Sequence, residues 1–269
     1  MAEIVAAVAT SHILMSPDSA GERAWRVFTG MRAVGQAVQS AKPDVIVVLS
    51  NDHLFNFDLE VDVPFLVGAA EQYTPFGDMD IPQHPVAGHR DFALGFATHA
   101  QAAGFAVIAL DHHRPDHGTM IPLLFANPEN TIPVVPVYIN LANNAAPSAD
   151  DCWRLGEALR QFIQDQRPAD ERVAIIATGG LSHWVGYDGK GVNEEFDCRF
   201  LNDMASGKAE LWRVKPSEDI EWQAGNGGLE IVNWLILAAS VPGARGEIVY
   251  YEPVPEWMTG MGGMIMKLS

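Results

Sequence analysis

Five short runs of apolar and β-branched residues alternate along this chain with longer segments of helical periodicity. The runs lack a strict apolar–polar alternation, which is typical of strands that are covered on both faces. Strands separated by helices predict an α/β fold with a largely parallel or mixed central sheet, flanked by helices on both faces. We expect strands at 4–9, 44–49, 105–110, 132–139 and 173–178, two further strands at 247–253 and 262–268, and helices at 20–40, 88–103, 149–166, 192–204 and 229–239.

The 269 residues contain no internal repeat and no Ser/Pro/Gly-rich linker that would separate two halves. Residues 1–269 are therefore expected to form a single domain. The longest irregular stretch, 73–88, contains Pro75, Pro82 and Pro85. We expect it to form a loop at the mouth of a site.

Acidic residues outnumber basic ones by 34 to 17, which gives a formal net charge of −17 at pH 7. Such a surface cannot neutralise a run of phosphates, which argues against nucleic acid as a partner. The N-terminal segment lacks the features of a signal peptide, and no apolar run reaches the roughly 18 residues that span a membrane. Cys152 and Cys198 lack metal-binding spacing and are expected to be small core residues in helices. The sequence thus predicts a cytoplasmic, reduced protein.

Three histidines lie directly after predicted strands. His12 follows the first strand, His53 follows the second, and His183 follows the strand that ends at Thr178. In open α/β sheets, ligands bind in the crevice outside the carboxyl ends of the strands. A lone histidine at such a point is more often a satisfied surface or core residue, but three from different strands predict a shared site.

Glu230 stands at the start of an apolar helical segment, after a glycine-rich turn in which Asn226 is a candidate N-cap. One interpretation is that its charge complements the positive end of the helix dipole. The other is that a carboxylate among many large apolar residues must be paired, protonated or bound to a metal. Two imidazoles and one carboxylate suffice to hold a divalent metal and leave its opposite face open to ligands.

His117 begins another transition from loop to helix. Common motifs of other chemistries are absent from the sequence, which has no GxSxG nucleophile elbow, no GxxxxGK(S/T) phosphate loop and no HExxH helix. Ser11 and Ser182 each precede a histidine, but adjacency does not make a catalytic triad. The pattern therefore favours a metal site.

Five local sequences, in this order along nearly the whole chain, together resemble the class III extradiol ring-cleaving dioxygenases, the LigB superfamily typified by the β subunit of protocatechuate 4,5-dioxygenase. The matching segments are Thr10-Ser11-His12-Ile13, Asn51-Asp52-His53 with Phe57-Asp58 after it, Asp116-His117-Gly118 with Pro122-Leu123 after it, Thr178-Gly179-Gly180-Leu181-Ser182-His183, and Gly228-Leu229-Glu230-Ile231-Val232-Asn233-Trp234-Leu235-Ile236. Each motif is weak by itself, but five in order are a specific signal.

The resemblance implies that His12, His53 and Glu230 are ligands of Fe(II). It implies that His183 is an acid/base residue and that His117 hydrogen-bonds near the substrate or dioxygen. The reaction would be extradiol cleavage, in which both atoms of O2 are inserted into a catechol-type ring. An imidazole suits the proton transfers because it titrates near neutral pH.

Further residues are implied around these. Asn51 and Asp52 would orient the loop that carries the second histidine ligand. The C-terminal stretch around Trp257 and Thr259 is bulkier than the matching stretch of the protocatechuate enzyme, and with Trp184 it would favour a substrate other than protocatechuate if it lines the pocket. Ordinary core packing of this stretch is an equal alternative.

The substrate class stays open at this point between protocatechuate-like or gallate-like acids, substituted catechols and aminophenols. A substrate carboxylate would need a cation, for which Arg114, Arg90 and Lys190 are the candidates. The resemblance also leaves open whether the chain works as a homo-oligomer or with a separate small α-type subunit, as the protocatechuate enzyme does.

Two other functions fit the same residues. A zinc hydrolase would use the three ligands with a metal-bound water, because catalytic zinc sites keep one open position. A non-catalytic binding protein on the same fold is the third hypothesis, and the intact acid/base histidine counts against it. Metal analysis separates the Fe(II) dioxygenase from the zinc hydrolase.

Overall fold

In the computed structural model, residues 1–56, 60–142, 146–187 and 190–268 are described. Within them, no helix is both long and apolar enough to cross a membrane. The elements in chain order are β1 (Glu3–Thr10), α1 (Glu22–Ala41), β2 (Val45–Ser50), β3 (Phe65–Gly68), β4 (Gln72–Tyr73), β5 (Val86–Ala87), α2 (Arg90–Ala102), β6 (Val107–Leu110), α3 (His117–Ala126), β7 (Val134–Ile139), α4 (Ala149–Gln166), β8 (Arg172–Thr178), α5 (Glu194–Ala205), α6 (Ser217–Ala224), α7 (Ile231–Ser240), β9 (Arg245–Val254) and β10 (Thr259–Lys267).

One mixed sheet organises the fold, with the strand order β6-β3-β7-β2-β8-β1-β10-β9. The central strands β7, β2, β8 and β1 run parallel, and β10 and β9 extend the sheet in antiparallel fashion at one edge. At the other edge, β3 is antiparallel to β7 and parallel to β6. The predicted α/β class with a mixed central sheet is confirmed.

The sheet separates two apolar cores, as β2 illustrates. Val45, Val47 and Leu49 belong to the core with α2, α4 and α7, whereas Ile46 and Val48 belong to the core with α1 and α3. Because successive side chains of a strand point to opposite faces, both faces of β2 must be apolar. Burying each such side chain contributes about 1.5–3 kcal/mol. The two-sided burial explains why the run shows no polar alternation.

The sequence patterns do not predict β3 or α6. With four and eight residues respectively, both are too short to show a clear period. The stretch 73–88, expected to be a loop, contains most of a small β4–β5 ribbon and a 3-10 turn at Asp78–Asp80. The helix expected at 229–239 begins as a 3-10 turn, Gly227–Glu230, and becomes α-helical from Ile231.

Cys198 contradicts the expectation of two core cysteines. Cys152 is buried in α4, but Cys198 on α5 is exposed. Helix α5 turns Phe196, Phe200 and Leu201 inward. The cysteine lies outside this buried face, on the exposed side of the helix with Arg199 and Asn202.

Candidate active site

The carboxyl ends of three adjacent strands carry the predicted site residues. Strands β1, β8 and β2 lie side by side. His12 follows β1, the segment 179–183 follows β8, and His53 follows β2. Glu230 reaches the same place from the 3-10 turn before α7. Because parallel strands end at one edge of a sheet, residues far apart in sequence meet there.

His12, His53 and Glu230 face one another at short range. Nε2 of His12 lies 3.5 Å from Oε2 of Glu230, and Nε2 of His53 lies 3.2 Å from Oε1. The two imidazole rings are perpendicular, with centroids 5.0 Å apart. Ligand atoms bound at right angles about 2.1 Å from one ion are about 3 Å apart. The three side chains therefore fit a single divalent metal.

A second donor set overlaps the first. His117 joins His12 and His53, and the three can offer ligand nitrogens within 4.8 Å of one another. The ring of His117 lies 4.0 Å from that of His53 and 5.2 Å from that of His12, between centroids. Its Nδ1, however, is hydrogen-bonded to Oδ2 of Asp78 at 2.6 Å. The residues thus offer either two histidines with Glu230 or three histidines.

The carboxylate of Glu230 is held in its charged form. Only 9% of the residue is exposed, and Oε2 accepts a hydrogen bond from the Gly180 N–H at 3.0 Å. Burial would raise the pKa of Glu230, but His12, His53 and this N–H outweigh it and hold the pKa below its usual range. Gly179 has a φ of +99°, and a Cβ there would lie 2.5 Å from Oε2. Glycine at this position leaves room for the carboxylate, whose charged form is the one that binds metals.

The two imidazoles are held differently. Nδ1 of His12 lies 3.2 Å from Oγ1 of Thr178, and burial lowers the pKa of His12 to about 3, so the ring is neutral. Nδ1 of His53 donates to Oδ2 of Asp116 at 3.0 Å. Burial works against the charged form of His53, but the hydrogen bonds to Asp116 and Glu230 raise its pKa to about 10. Metal binding at His53 would release that proton, and a carboxylate behind a ligating imidazole is a common device of metal sites.

The site residues predicted from the sequence do not include two carboxylates, Asp116 and Asp78, which contact histidines of the site. Asp116 is fully buried and caps α3 by accepting from the Gly118 N–H at 3.0 Å. Its signal is present in the sequence, because aspartate directly before a helix is a favoured N-cap. Asp78 contacts both the backbone N–H and Nδ1 of His117, at 3.3 and 2.6 Å. It has no such signal, since it lies in the irregular stretch 73–88.

His183 is not a member of the group of converging ligand nitrogens. Its Nδ1 lies 2.5 Å from Oγ1 of Thr259 and 3.0 Å from the carbonyl oxygen of Met258. The Thr259 hydroxyl donates to the carbonyl of Trp257 at 2.8 Å, so it accepts from the imidazole. Since a carbonyl oxygen also can only accept, Nδ1 carries the proton and Nε2 has the free lone pair.

Asn51 and Asp52 brace the backbone that leads from β2 into the site. Nδ2 of Asn51 donates to a carbonyl of β7 at 2.7 Å, and its Oδ1 accepts from Asn233 at 2.7 Å. The Asp52 carboxylate accepts from the backbone and side-chain N–H groups of Asn56 at 3.1 and 2.6 Å. The matching Phe57-Asp58 pair lies outside the described residues.

The predicted pocket residues of the C-terminal half occupy different environments. Trp257 is 1% exposed and packs in the core with α1, where its indole N–H donates to Ser19 at 2.7 Å. This position matches the alternative of core packing. Trp184 lines a surface pocket, and Nζ of Lys190 lies 4.7 Å from its ring. Thr259, by contrast, contacts the imidazole of the acid/base candidate directly.

The three candidate cations differ in what surrounds them. Lys190 is stacked on indole rings, and Arg90 pairs with an aspartate and a backbone carbonyl. Arg114 is exposed and lies over the ring of Phe76, 5.1 Å from its centroid. Its Nη2 donates to the backbone carbonyls of Pro75 and Phe76 at 3.1 and 2.9 Å, and no carboxylate pairs with it among the ion pairs of the described residues. Phe76 in turn stacks on Phe55 at 4.3 Å, and Phe55 lies 6.5 Å from His117. An aromatic stack thus links Arg114 to the site.

Comparisons with known proteins show the family to which the chain is similar. A family model described as the catalytic LigB subunit of aromatic ring-opening dioxygenase matches residues 7–262. Gallate dioxygenase of Pseudomonas putida is 30% identical over 194 residues, which cover 70% of this chain and 55% of that protein. The chain therefore spans about half the length of that relative. A 2,3-dihydroxyphenylpropionate/2,3-dihydroxicinnamic acid 1,2-dioxygenase of Burkholderia vietnamiensis is 28% identical over 285 residues, 87% of each chain.

Among solved structures, the uncharacterized protein JW3007 from Escherichia coli K12 has a TM-score of 0.66 and 16% sequence identity. The match covers 98% of this chain and 100% of that one. At this identity, the likeness shows a shared fold alone.

Proposed function

This chain belongs to the LigB family of catalytic subunits of aromatic ring-opening dioxygenases, and we propose that it is an Fe(II)-dependent extradiol dioxygenase of a catechol-type aromatic. The proposal is carried by the convergence of His12, His53 and Glu230, whose carboxylate lies 3.5 and 3.2 Å from the two imidazole nitrogens. Two histidines and one carboxylate with open positions are the ligand set of non-haem Fe(II) oxygenases. Fe(II) bound there would hold the diol oxygens and supply electrons to O2.

His183 is the residue proposed to move protons. Because its Nδ1 is held by Met258 and Thr259, its Nε2 is free to take the proton of a diol hydroxyl and to return it as the ring opens. His117 has its Nδ1 fixed by Asp78, which leaves its Nε2 to hydrogen-bond the substrate or dioxygen. Cleavage beside the diol would give a semialdehyde-type product that contains both oxygen atoms.

The test is oxygen uptake by protein that has been loaded anaerobically with Fe(II). A panel of catechols, gallate, protocatechuate and aminophenols is offered, and a coloured ring-opened product is expected with at least one of them. The same protein loaded with Zn(II) is the control, and it should take up no oxygen. Stable stoichiometric zinc with hydrolytic activity, or no uptake across the panel at full iron loading, contradicts the proposal.

Within this function, we assign the binding of a substrate carboxylate to Arg114. The relatives named above include enzymes of gallate and of 2,3-dihydroxyphenylpropionate, both of which are aromatic carboxylates with adjacent ring hydroxyls. Arg114→Gln should raise KM for such a diol by about tenfold, because a charge-assisted hydrogen bond is lost, and leave KM for unsubstituted catechol unchanged. Arg90→Gln is the matched control. An equal effect of Arg114→Gln on both substrates contradicts the assignment.

The state of assembly and the cytoplasmic location stay predictions from the sequence. Sedimentation of the purified chain tests whether it forms a homo-oligomer. Oxygen uptake by the chain alone tests whether a small α-type subunit is required.

A further inference from the structure

A second carboxylate, Asp197 on α5, is buried beside the segment that carries His183. None of its surface is exposed. Its Oδ1 accepts from the Ser182 N–H at 2.8 Å, and its Oδ2 accepts from the hydroxyls of Ser182 at 2.9 Å and Tyr251 at 2.8 Å. Among the ion pairs of the described residues, none involves this carboxylate. Burying a charge in this way is costly unless its hydrogen bonds are satisfied, and here three donors satisfy them.

Asp197 lies beside both of the backbone segments that form the contact between His183 and Thr259. Ser182 directly precedes His183, and Gly260 directly follows Thr259. The Gly260 N–H donates to the Ser182 carbonyl at 2.8 Å, and His183 pairs with Thr259 in an antiparallel bridge. A Cβ on Gly260 would overlap Oδ2 of Asp197, so the carboxylate occupies the space that the glycine leaves. It therefore touches both segments that meet at the imidazole.

From this arrangement we propose that Asp197 is a positioning residue for His183. It fixes Ser182 against the 258–260 segment, and thereby keeps Nδ1 of His183 donating to Met258 and Thr259. Nε2 then stays the free nitrogen. The inference rests on the acid/base role of His183 in the proposed function, but its geometric part can be tested without turnover.

The hydrogen-bond pattern explains why a carboxylate is needed. The Ser182 hydroxyl accepts from the Asn193 N–H at 2.9 Å, so its own proton is directed at Asp197. Oδ2 thus receives two hydroxyl donors. Burial raises the pKa of Asp197 to about 6, so the group is ionised and able to accept at neutral pH. An asparagine amide placed there would keep the side-chain volume but would turn its NH2 group either toward the Ser182 backbone N–H or toward the two hydroxyls, so it could not accept from all three donors.

The experiment compares Asp197→Asn with Asp203→Asn. Asp203 lies on the same helix and accepts from the indole N–H of Trp212 at 3.0 Å, away from the His183 segment. In iron-loaded enzyme, Asp197→Asn should lower kcat by about 10- to 100-fold, part of what a general acid/base supplies, with KM and iron content unchanged. In zinc-substituted protein, the long-range 15N–1H NMR spectrum of His183 should show mixed tautomers in Asp197→Asn. The control should keep the kcat and the single tautomer of the wild type.

Two milder variants keep the test informative if Asp197→Asn does not fold. Tyr251→Phe removes one donor, and Ser182→Ala removes another while keeping the backbone N–H. Each should shift the tautomer signal and kcat in the same direction by a smaller factor. A folded Asp197→Asn with wild-type kcat and a single Nδ1–H tautomer overturns the inference, as does an equal loss in Asp203→Asn. Absence of oxygen uptake in the wild type would overturn the proposed function instead, while the tautomer comparison still decides the positioning.

Discussion

Two buried carboxylates flank the loop that follows β8, and their surroundings differ. Glu230 faces the imidazoles of His12 and His53, whereas Asp197 is hydrogen-bonded to the amide and hydroxyl of Ser182 and the hydroxyl of Tyr251. The pKa of Glu230 is lowered because the imidazoles favour its charge, although burial opposes this. The pKa of Asp197 is raised because burial outweighs the hydrogen bonds from Ser182 and Tyr251, which favour the charged form.

These surroundings suit different roles: a metal ligand in the case of Glu230, and a positioning residue in the case of Asp197. A carboxylate that faces imidazole nitrogens, as Glu230 does, shares a space in which one cation can be bound by all of them once the proton of His53 is released. A carboxylate whose oxygens already accept from three N–H and O–H donors, as those of Asp197 do, has only about one of its four acceptor sites left for a metal. We therefore propose metal binding for the carboxylate on one side of the loop and backbone positioning for the carboxylate on the other. The following changes test this division, from the largest expected effect to the smallest.

Glu230→Ala should abolish activity and lower metal affinity by more than about 100-fold, since removing a ligand exceeds the loss caused by outer-shell partners. Metal content after dialysis and oxygen uptake measure both effects. Glu256→Ala, which removes an exposed partner of Arg23, is the control and should change neither. His117→Ala should retain iron. If Glu230→Ala keeps its iron and His117→Ala loses it, the three-histidine set is the correct one.

His183→Ala should leave iron bound and lower kcat by about 10²- to 10⁴-fold, the contribution of a positioned acid/base. Single-turnover oxygen uptake with iron quantified in the same sample measures this. His84→Ala, at an exposed position, should behave as the wild type. Loss of the metal in His183→Ala would show that the separation of ligand from acid/base is wrong.

Asp116→Asn should weaken metal binding by about 10- to 100-fold, because the neutral amide no longer supports the basicity of His53. A competition titration with a chelator measures the affinity. Asp111→Asn, an exposed partner of Arg90, is the control. An unchanged affinity in Asp116→Asn would mean that the 3.0 Å contact between Asp116 and His53 has no effect on the metal.

The sequence predicts the fold and the place of the site for one physical reason. Runs such as 45–49 and 173–177 are apolar throughout because both faces of the central strands are covered, and the end of each run also marks where the strand ends. His12 and His53 stand at those ends, so the topology of a parallel sheet brings them together. Family membership is confirmed, whereas the role of each side chain stays a prediction.

The partners of these side chains could not be predicted in the same way. Asp78 contacts His117 and Asp197 contacts Ser182 across separations of 39 and 15 residues, and such contacts depend on three-dimensional packing rather than on any local period. Asp197 follows Glu194 and Glu195 in the first turn of α5, where acidic residues are expected simply for the helix dipole. Its burial against Gly260 has no local sequence signature.

The two carboxylates should also differ in how they link stability to pH. The pKa of Asp197 is about 6 in the folded chain against an ordinary value of 3.8, so between these values the folded state binds more protons than the unfolded state. Its contribution is therefore greatest below pH 4 and falls by about 3 kcal/mol as the pH rises through 6. In Asp197→Asn, the side chain at this position does not titrate and contributes no such change of stability with pH.

Urea unfolding of metal-free wild type and Asp197→Asn between pH 4 and 7 measures the difference. The stability of the wild type relative to the variant should decline as the pH rises, whatever the other carboxyl groups contribute, because they are common to both proteins. A difference that stays level, or that grows with pH, would mean that Tyr251 and Ser182 stabilise the charged form fully. The folded state would then favour the ionised form of Asp197, as it does that of Glu230. The two carboxylates would differ only in the groups that contact them.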